Sequence, residues 1–186
     1  MRIMIRVVEY LLVMFLLFTS ACSYGQKYTT RTGNIKFEAS VPSFEEVKAE
    51  NKTVSAALEM STGDIAVLAL MKGFRFKVAL MEEHFNESYA ETDKYPKATF
   101  KGKIEGFDFS KVIAEPKSFT IKGDLMLHGK TKAITDVAKI SKAGDIITIT
   151  GNFEVKPEDF AIEIPQLVSK KIADKVIVAY SFNLNK

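Results

Sequence analysis

The sequence predicts an all-β, antiparallel fold, either a barrel or a sandwich, and three observations support this prediction. Apolar and polar residues alternate with a period of two along about nine segments, which is typical of strands with one buried face. Turn-forming residues separate these segments at near-regular spacing. The sequence has no long amphipathic helix between them, which argues against an α/β fold.

The predicted strands follow one another from residue 35 to residue 184. The last of them shows the pattern well, since Val176, Val178 and Tyr180 share one face. In chain order the predicted ranges are 35–41, 53–60, 65–71, 73–81, 98–109, 118–128, 133–140, 146–155 and 175–184.

Two short helices are predicted because a proline precedes each segment and proline is favoured where a helix begins. The first covers 43–49 after Pro42, and the second covers 166–173 after Pro165. The polar segment 82–92 predicts a long loop or a single helical turn.

Composition excludes several classes of function. The net charge of +3, from 26 Lys and Arg against 23 Asp and Glu, is too even for a dedicated nucleic-acid binder. One cysteine and two histidines are too few for a zinc finger, an iron–sulfur cluster or a disulfide framework. The sequence has no nucleophile elbow and no phosphate-binding glycine loop. We therefore predict a non-enzymatic protein without metal, cofactor or nucleic acid.

Residues 1–25 predict a secretory signal peptide, followed by a single domain over 26–186. Arg2 and Arg6 form a basic start, and an unbroken apolar run from Tyr10 to Phe18 follows. This run is well short of the roughly 20 residues that a membrane-spanning helix needs. The mature protein is therefore expected to be periplasmic or secreted.

The end of this segment allows two kinds of processing. Ordinary cleavage would follow Ala21 or Gly25. Residues 19–22 also resemble a bacterial lipobox, in which Cys22 would be lipidated and would anchor the protein in the outer membrane. Lipidation of Cys22 would bring the protein into contact with a membrane.

Phenylalanine residues at strand-interior positions allow two kinds of barrel. Phe74, Phe100 and Phe119 are examples, and the chain has 14 phenylalanines in all. They could fill a solid core, or they could line a cavity, since an eight-stranded barrel can hold one small ligand. Periodicity alone is compatible with both.

Three stretches resemble the YceI-like family of bacterial, lipocalin-like, polyisoprenoid-binding proteins. The first is GFRFKVALM at 73–81, followed by HF at 84–85 and KYPKATF at 94–100. The second is GDLMLHGKTK at 123–132, in which His128 stands where the family usually has arginine. The third is DFAI at 159–162. The resemblance spans roughly 33–186 and implies an eight-stranded or slightly larger lipocalin-like barrel with one or two short helices.

The resemblance also implies an apolar channel that holds an isoprenoid lipid, such as a quinone or polyprenyl phosphate, with its tail inward. The residues that we predict to line the channel share one face of adjacent predicted strands. They are Phe74, Phe76, Phe100, Phe119, Leu125, Leu127, Val176 and Val178. Candidate polar residues near the mouth of the channel are Arg75, His84, Lys94 and His128.

Two alternatives keep the same strand pattern. In the first, the barrel is solid and serves as a structural or interaction module of the cell envelope without a ligand. In the second, the barrel is the scaffold of an enzyme, and replacing His84 or His128 would abolish its turnover.

Overall fold

A computed structural model of the protein describes residues 26–42 and 44–186. The predicted signal peptide, with Cys22 and its two processing alternatives, lies outside the described residues. Within this part of the chain, every helix is too short or too polar to cross a lipid bilayer.

Strands account for most of the described chain. They are β1 (Lys27–Ser40), β2 (Lys48–Glu59), β3 (Asp64–Leu70), β4 (Arg75–Phe76), β5 (Lys97–Ile104), β6 (Lys117–Leu127), β7 (Lys130–Ala143), β8 (Ile146–Val155) and β9 (Ile172–Asn185). Two α-helices are short: α1 (Ala79–His84), which continues into a π-helical turn at Phe85–Tyr89, and α2 (Gln166–Ser169). Single 3-10 turns occur at Met71–Gly73, Phe109–Lys111 and Pro157–Phe160.

Eight of these strands form a closed antiparallel barrel. Their order is β1-β9-β8-β7-β6-β5-β3-β2, and β1 also pairs with β2, which closes the sheet. The two-residue strand β4 extends the sheet beside β2. The prediction of an all-β antiparallel fold is confirmed, and of its two alternatives the chain adopts the barrel.

One end of the barrel, which we call the closed end, is filled by side chains. The turns β2–β3 and β7–β8 lie at this end, and so does the start of β1. The side chains packed there are at most 1% exposed, and burial stabilises each by about 1.5–3 kcal/mol. They are Leu58, Ile104, Ile140, Ile147, Ile149 and Leu184.

The opposite end, which we call the open end, is framed by longer connections. These run from β1 to β2, from β3 through α1 to β5, and from β8 through α2 to β9. The β6–β7 hairpin turn at His128 and Gly129 also lies at this end. The fold therefore places its irregular segments together around one opening.

The backbone hydrogen bonding of the barrel wall is incomplete between β7 and β8. In the described structure these strands pair only between Lys139–Ala143 and Ile146–Thr150. Nearer the open end, β7 pairs with β6 and β8 pairs with β9. Side-chain contacts cross the interval instead, including the ion pair between Lys132 and Asp159 at 2.9 Å.

The predicted strand at 73–81 is wrong over most of its length. Phe76 lies in the two-residue strand β4 and Phe74 directly precedes it, but the chain then turns into α1. The Glu82 carboxylate folds back, accepts a hydrogen bond from the Phe76 backbone N–H at 3.1 Å and pairs with the Arg75 guanidinium. Polar contacts that are local in sequence thus end the strand.

The two predicted helices fare differently. The helix at 43–49 is wrong, because residues 44–47 are not helical and β2 begins at Lys48. The β1–β2 ladder reaches this point, where the Ala39 N–H donates to the Val47 carbonyl at 2.9 Å. The helix at 166–173 forms only as α2, since Ile172 already pairs with Ser40 in the sheet.

Candidate functional site

A cavity of about 450 Å³ enters the barrel from the open end. This volume lies within the range of about 300–1,000 Å³ that is typical of small-molecule sites. Its walls are mainly aliphatic and aromatic side chains of the strands and of the three framing connections. Two charged residues, Glu45 and Lys171, are among those that line it, and both belong to the connections.

A second chamber of about 80 Å³ lies beside this cavity, deeper in the barrel. The two spaces share part of their walls, so they succeed one another along the barrel axis. The shared residues are Ile35, Ala69, Ala98, Leu125, Phe153 and Val178. Beyond the chamber, the packed side chains of the closed end begin. The barrel is thus hollow over the half near its opening and solid over the other half.

Two glycines allow an aromatic ring to bound the deep chamber. Gly102 of β5 and Gly123 of β6 are paired across the sheet. A Cβ atom on Gly102 would lie 2.7 Å from the ring of Phe100, and a Cβ atom on Gly123 would lie equally close to it. Real Cβ atoms do not approach a ring so closely, so both positions leave space for the Phe100 side chain.

A polar pair borders the deep chamber. The Tyr180 hydroxyl donates a hydrogen bond to Oδ2 of Asp136 at 2.5 Å, and the Val137 backbone N–H donates to Oδ1 at 2.7 Å. Burial, followed by this hydrogen bond to the carboxylate, raises the pKa of the Tyr180 phenol well above its ordinary value. A Cβ atom on Gly151 would collide with both side chains. The pair joins β9 to β7 where the β7–β8 ladder has ended.

Four phenylalanines pack together at the mouth of the cavity. Phe37 of β1 contacts Phe74, Phe76 and Phe85, with ring centroids 5.4–5.7 Å apart. Such separations are favourable for tilted aromatic pairs. The cluster attaches α1 and its π-helical turn to the barrel wall.

The structure brings most of the predicted channel residues together. Those that line the main cavity are Phe74, Phe76, Leu125, Leu127, Val176 and Val178. Phe100 borders the deep chamber. Phe119 lines neither space; its ring lies 6.4 Å from that of Phe107, close to the packed core.

Of the four predicted polar residues, two lie together at the Glu91 carboxylate and two lie elsewhere. His84 is exposed and lines the cavity. Arg75 is exposed and paired with Glu82. Lys94 lies 3.7 Å from the Glu91 carboxylate and over the Tyr95 ring. His128 is buried and hydrogen-bonded to Glu91 and to the Phe160 carbonyl.

Several lining residues escaped the sequence-based selection. Phe85 and Tyr89 line the cavity together with Met81, and the four-residue spacing of these three was the available helical signal. Phe160, Ile162 and Ile164 also line it, although their segment is not a strand. Their alternation indicates a buried face, but it lies outside the predicted strands from which the channel residues are predicted.

Among residues 26–42 and 44–186, no group of three or more His, Cys, Asp or Glu side chains is arranged to hold a metal ion.

Comparison with known proteins links this architecture to a family. No curated protein matches the sequence. A polyisoprenoid binding domain from Saccharophagus degradans, implicated in plant cell wall breakdown, is similar with a TM-score of 0.74 and 15% identity, covering 87% of this chain and 98% of that chain. BcnA from Burkholderia cenocepacia is similar with a TM-score of 0.68 and 16% identity, covering 83% and 96%.

A third solved structure is the YCEI protein of Campylobacter jejuni. Its TM-score is 0.63 at 18% identity, and the match covers 78% of this chain and 88% of that chain. At these identities the three likenesses show the fold alone. The sequence itself matches the model of the YceI-like domain over residues 26–184, and the chain therefore belongs to the YceI-like family.

Proposed function

We propose that the protein binds an isoprenoid lipid of the polyprenyl or quinone type in its channel and carries or stores it. The observation that carries this proposal is the open, apolar cavity of about 450 Å³ in one half of the barrel. Membership of the YceI-like family supports it, as does the similarity of the fold to a polyisoprenoid binding domain from Saccharophagus degradans.

The volume of the cavity limits how much of a lipid can enter. An engineered apolar cavity of about 150 Å³ accommodates benzene, with six carbons. The main cavity, at about 450 Å³, would by the same ratio accommodate a segment of roughly eighteen carbons. At about 0.8 kcal/mol per methylene, this burial contributes about 14 kcal/mol before the cost of ordering the chain. Longer lipids would extend from the open end.

The proposal includes the setting in which the protein works. We place it in the periplasm or outside the cell because of the signal peptide predicted at residues 1–25, with an outer-membrane lipoprotein anchored at Cys22 as the alternative. The lipid would enter or leave by exchange with a membrane. No catalytic step and no cofactor form part of this function.

Substituting residues that face the channel tests the proposal. Val178 lines both spaces, whereas its neighbour Ile177 is 48% exposed on the outer face of the same strand. We expect V178W to weaken binding of a fluorescent polyprenol more than tenfold, because the indole occupies the channel. I177W, the matched control, should bind as the unmodified protein does.

A second pair of variants guards against an effect of folding. L125W places the indole in the channel from β6, and M126W places it on the outer face. Circular dichroism first establishes that all four variants are folded. Equal binding by the inward and outward variants would contradict the proposal and would favour a barrel that serves as an interaction module without a ligand.

A further inference from the structure

Three segments at the open end meet at one buried histidine. The His128 side chain, at the tip of the β6–β7 hairpin, is 7% exposed. Its Nδ1 lies 3.0 Å from the backbone carbonyl oxygen of Phe160, and its Nε2 lies 2.8 Å from Oε2 of Glu91. We call Glu91, His128 and Phe160 the His128 junction.

The chemistry of these contacts requires a bound proton. A carbonyl oxygen and a carboxylate both accept hydrogen bonds, and neutral imidazole has one N–H to donate. Both contacts can therefore be hydrogen bonds only when the His128–Glu91 pair holds one proton more than a neutral imidazole beside a carboxylate. Without that proton, one ring nitrogen of His128 presents a lone pair to an acceptor oxygen, that of Glu91 or that of Phe160, depending on the tautomer.

The backbone at the junction is strained. Glu91, His128 and Ala161 have φ angles of 42°, 49° and 54°, and they are the non-glycine residues with positive φ in the described part of the chain. Ala161 directly follows Phe160. Left-handed backbone at such residues costs free energy and persists when surrounding contacts hold it in place. The hydrogen bonds of His128 link all three strained positions.

Other charged and titratable groups surround the junction. The Tyr95 ring packs on the His128 ring with centroids 4.3 Å apart. Lys94 approaches the Glu91 carboxylate at 3.7 Å. Asp159, beside Phe160, is paired with Lys132 of β7. Each of these groups already has a partner or a stacking contact. The contacts of His128 with Glu91 and Phe160 are the ones at the junction that depend on an additional proton.

The junction holds two walls of the channel. Glu91 directly follows the segment that contributes Phe85, Tyr89 and Ala90 to the cavity. Phe160 is itself a lining residue and lies in the connection that also contributes Ile162. The His128 hydrogen bonds join both segments to the β6–β7 hairpin at a single side chain and thereby to each other, beside the ion pair of Lys132 with Asp159.

We propose that the His128 junction is a proton-dependent latch on the open end of the channel. With the proton bound, both lining segments are fixed; when pH rises and the proton leaves, His128 keeps only one of its two hydrogen bonds and the strained backbone relaxes. Loss of a hydrogen bond at the junction loosens the segments that it holds, so their local stability falls as the proton leaves. Histidine is the side chain that ordinarily changes charge between pH 5 and 8. The consequence for lipid retention rests on the proposed function, whereas the latch itself does not.

Amide hydrogen exchange tests the latch without any ligand. The Thr92 N–H donates to the Asn86 carbonyl at 2.8 Å, and the Ile162 N–H donates to the Pro157 carbonyl at 3.1 Å, so these amides report on the two segments. We expect their protection factors to fall about tenfold between pH 5.5 and pH 8.0, the effect of losing a hydrogen bond to a charged group.

Three variants separate the latch from a structural role. In E91Q, the glutamine amide donates to Nε2 of neutral His128 while Nδ1–H donates to Phe160, so protection should stay high at both pH values. H128N removes the imidazole from the junction, and its protection should be the same at pH 5.5 and pH 8.0 whatever its level. H84N removes the other histidine of the chain and should behave as the unmodified protein does.

Dissociation of the neutral dye N-phenyl-1-naphthylamine, measured in the same variants, tests the effect on the channel. It should be about tenfold faster at pH 8.0 than at pH 5.5 in the unmodified protein and equally slow at both in E91Q. Protection that does not change with pH in the unmodified protein, or a pH dependence that survives in H128N, would overturn the latch. Absence of dye binding with pH-dependent protection would overturn the proposed function and leave the latch standing.

Discussion

At the scale of single residues, two polar groups beside the deep chamber are accommodated because they are partners of each other. Asp136 and Tyr180 satisfy one another beside the deep chamber, and Gly151 leaves the space that they occupy. Alternation in the sequence placed Tyr180 on the inward face of β9. It did not indicate the pairing with Asp136, because the partner is 44 residues away and lies across a neighbouring strand.

The Tyr180 phenol should affect stability at alkaline pH. Its pKa is raised in the folded protein, so the unfolded chain releases this proton first, and the stability that depends on it falls as pH rises above about 10. We expect the free energy of unfolding, measured with urea, to fall more steeply above pH 10 in the unmodified protein than in Y180F. Identical pH dependence in the two proteins would show that the phenol ionises equally in both states.

The burial and the hydrogen-bond partners of His128 could not be predicted from its sequence neighbours. The sequence suggested a polar residue near the mouth, and the structure places it at the open end. Its burial and its two acceptors depend on Glu91 and Phe160, which are 37 and 32 residues away in the chain. A sequence motif that is ten residues long carries no information about partners so far away in the chain.

At the scale of elements, periodicity succeeded where strands pair over long stretches. The run 146–155 coincides with β8, whose burial alternates along its length. It failed at 73–81, where two alternating phenylalanines precede a helix. The phenylalanines contact the barrel whether the chain continues as a strand or turns into a helix, so their spacing does not distinguish the two. The hydrogen bond of the Glu82 carboxylate to the Phe76 backbone N–H stabilises the turn into the helix.

The aromatic cluster should contribute measurably to stability. Phe85 packs on Phe37, Phe74 and Phe76, whereas Leu80, in α1 just before it, is 57% exposed. We expect F85A to lower the free energy of unfolding by about 2 kcal/mol or more, since it removes a partly buried ring. L80A, its matched control, should change it by less than about 0.5 kcal/mol. Urea denaturation measures both, and equal losses would contradict the packing described for the π-helical turn.

At the scale of the whole molecule, the barrel divides into a packed half and a hollow half. The fold class followed from the strand pattern, because nine alternating runs with short turns are compatible with few architectures. Whether the inside was filled could not be predicted, since a leucine that lines a cavity and a leucine that packs in a core occupy the same periodic position. Leu125 and Leu184 illustrate this: the first borders both cavities, and the second is completely buried.

The same division explains why the candidate site was predicted incompletely. Strand residues such as Val176 and Val178 could be selected from alternation, but the mouth is built from connections that have no common period. Phe119 was selected on the same grounds and lies outside both spaces, because depth along the barrel axis is not encoded in the alternation of a single strand.

Native mass spectrometry of the mature protein, purified from its own cell envelope and followed by solvent extraction, tests the central claim most directly. We expect a stoichiometric bound mass that the extract identifies as an isoprenoid lipid. V178W, prepared in parallel, should carry less of it than I177W does. A protein that is found without a bound mass, and that takes up neither polyprenols nor quinones when they are offered, would contradict the account.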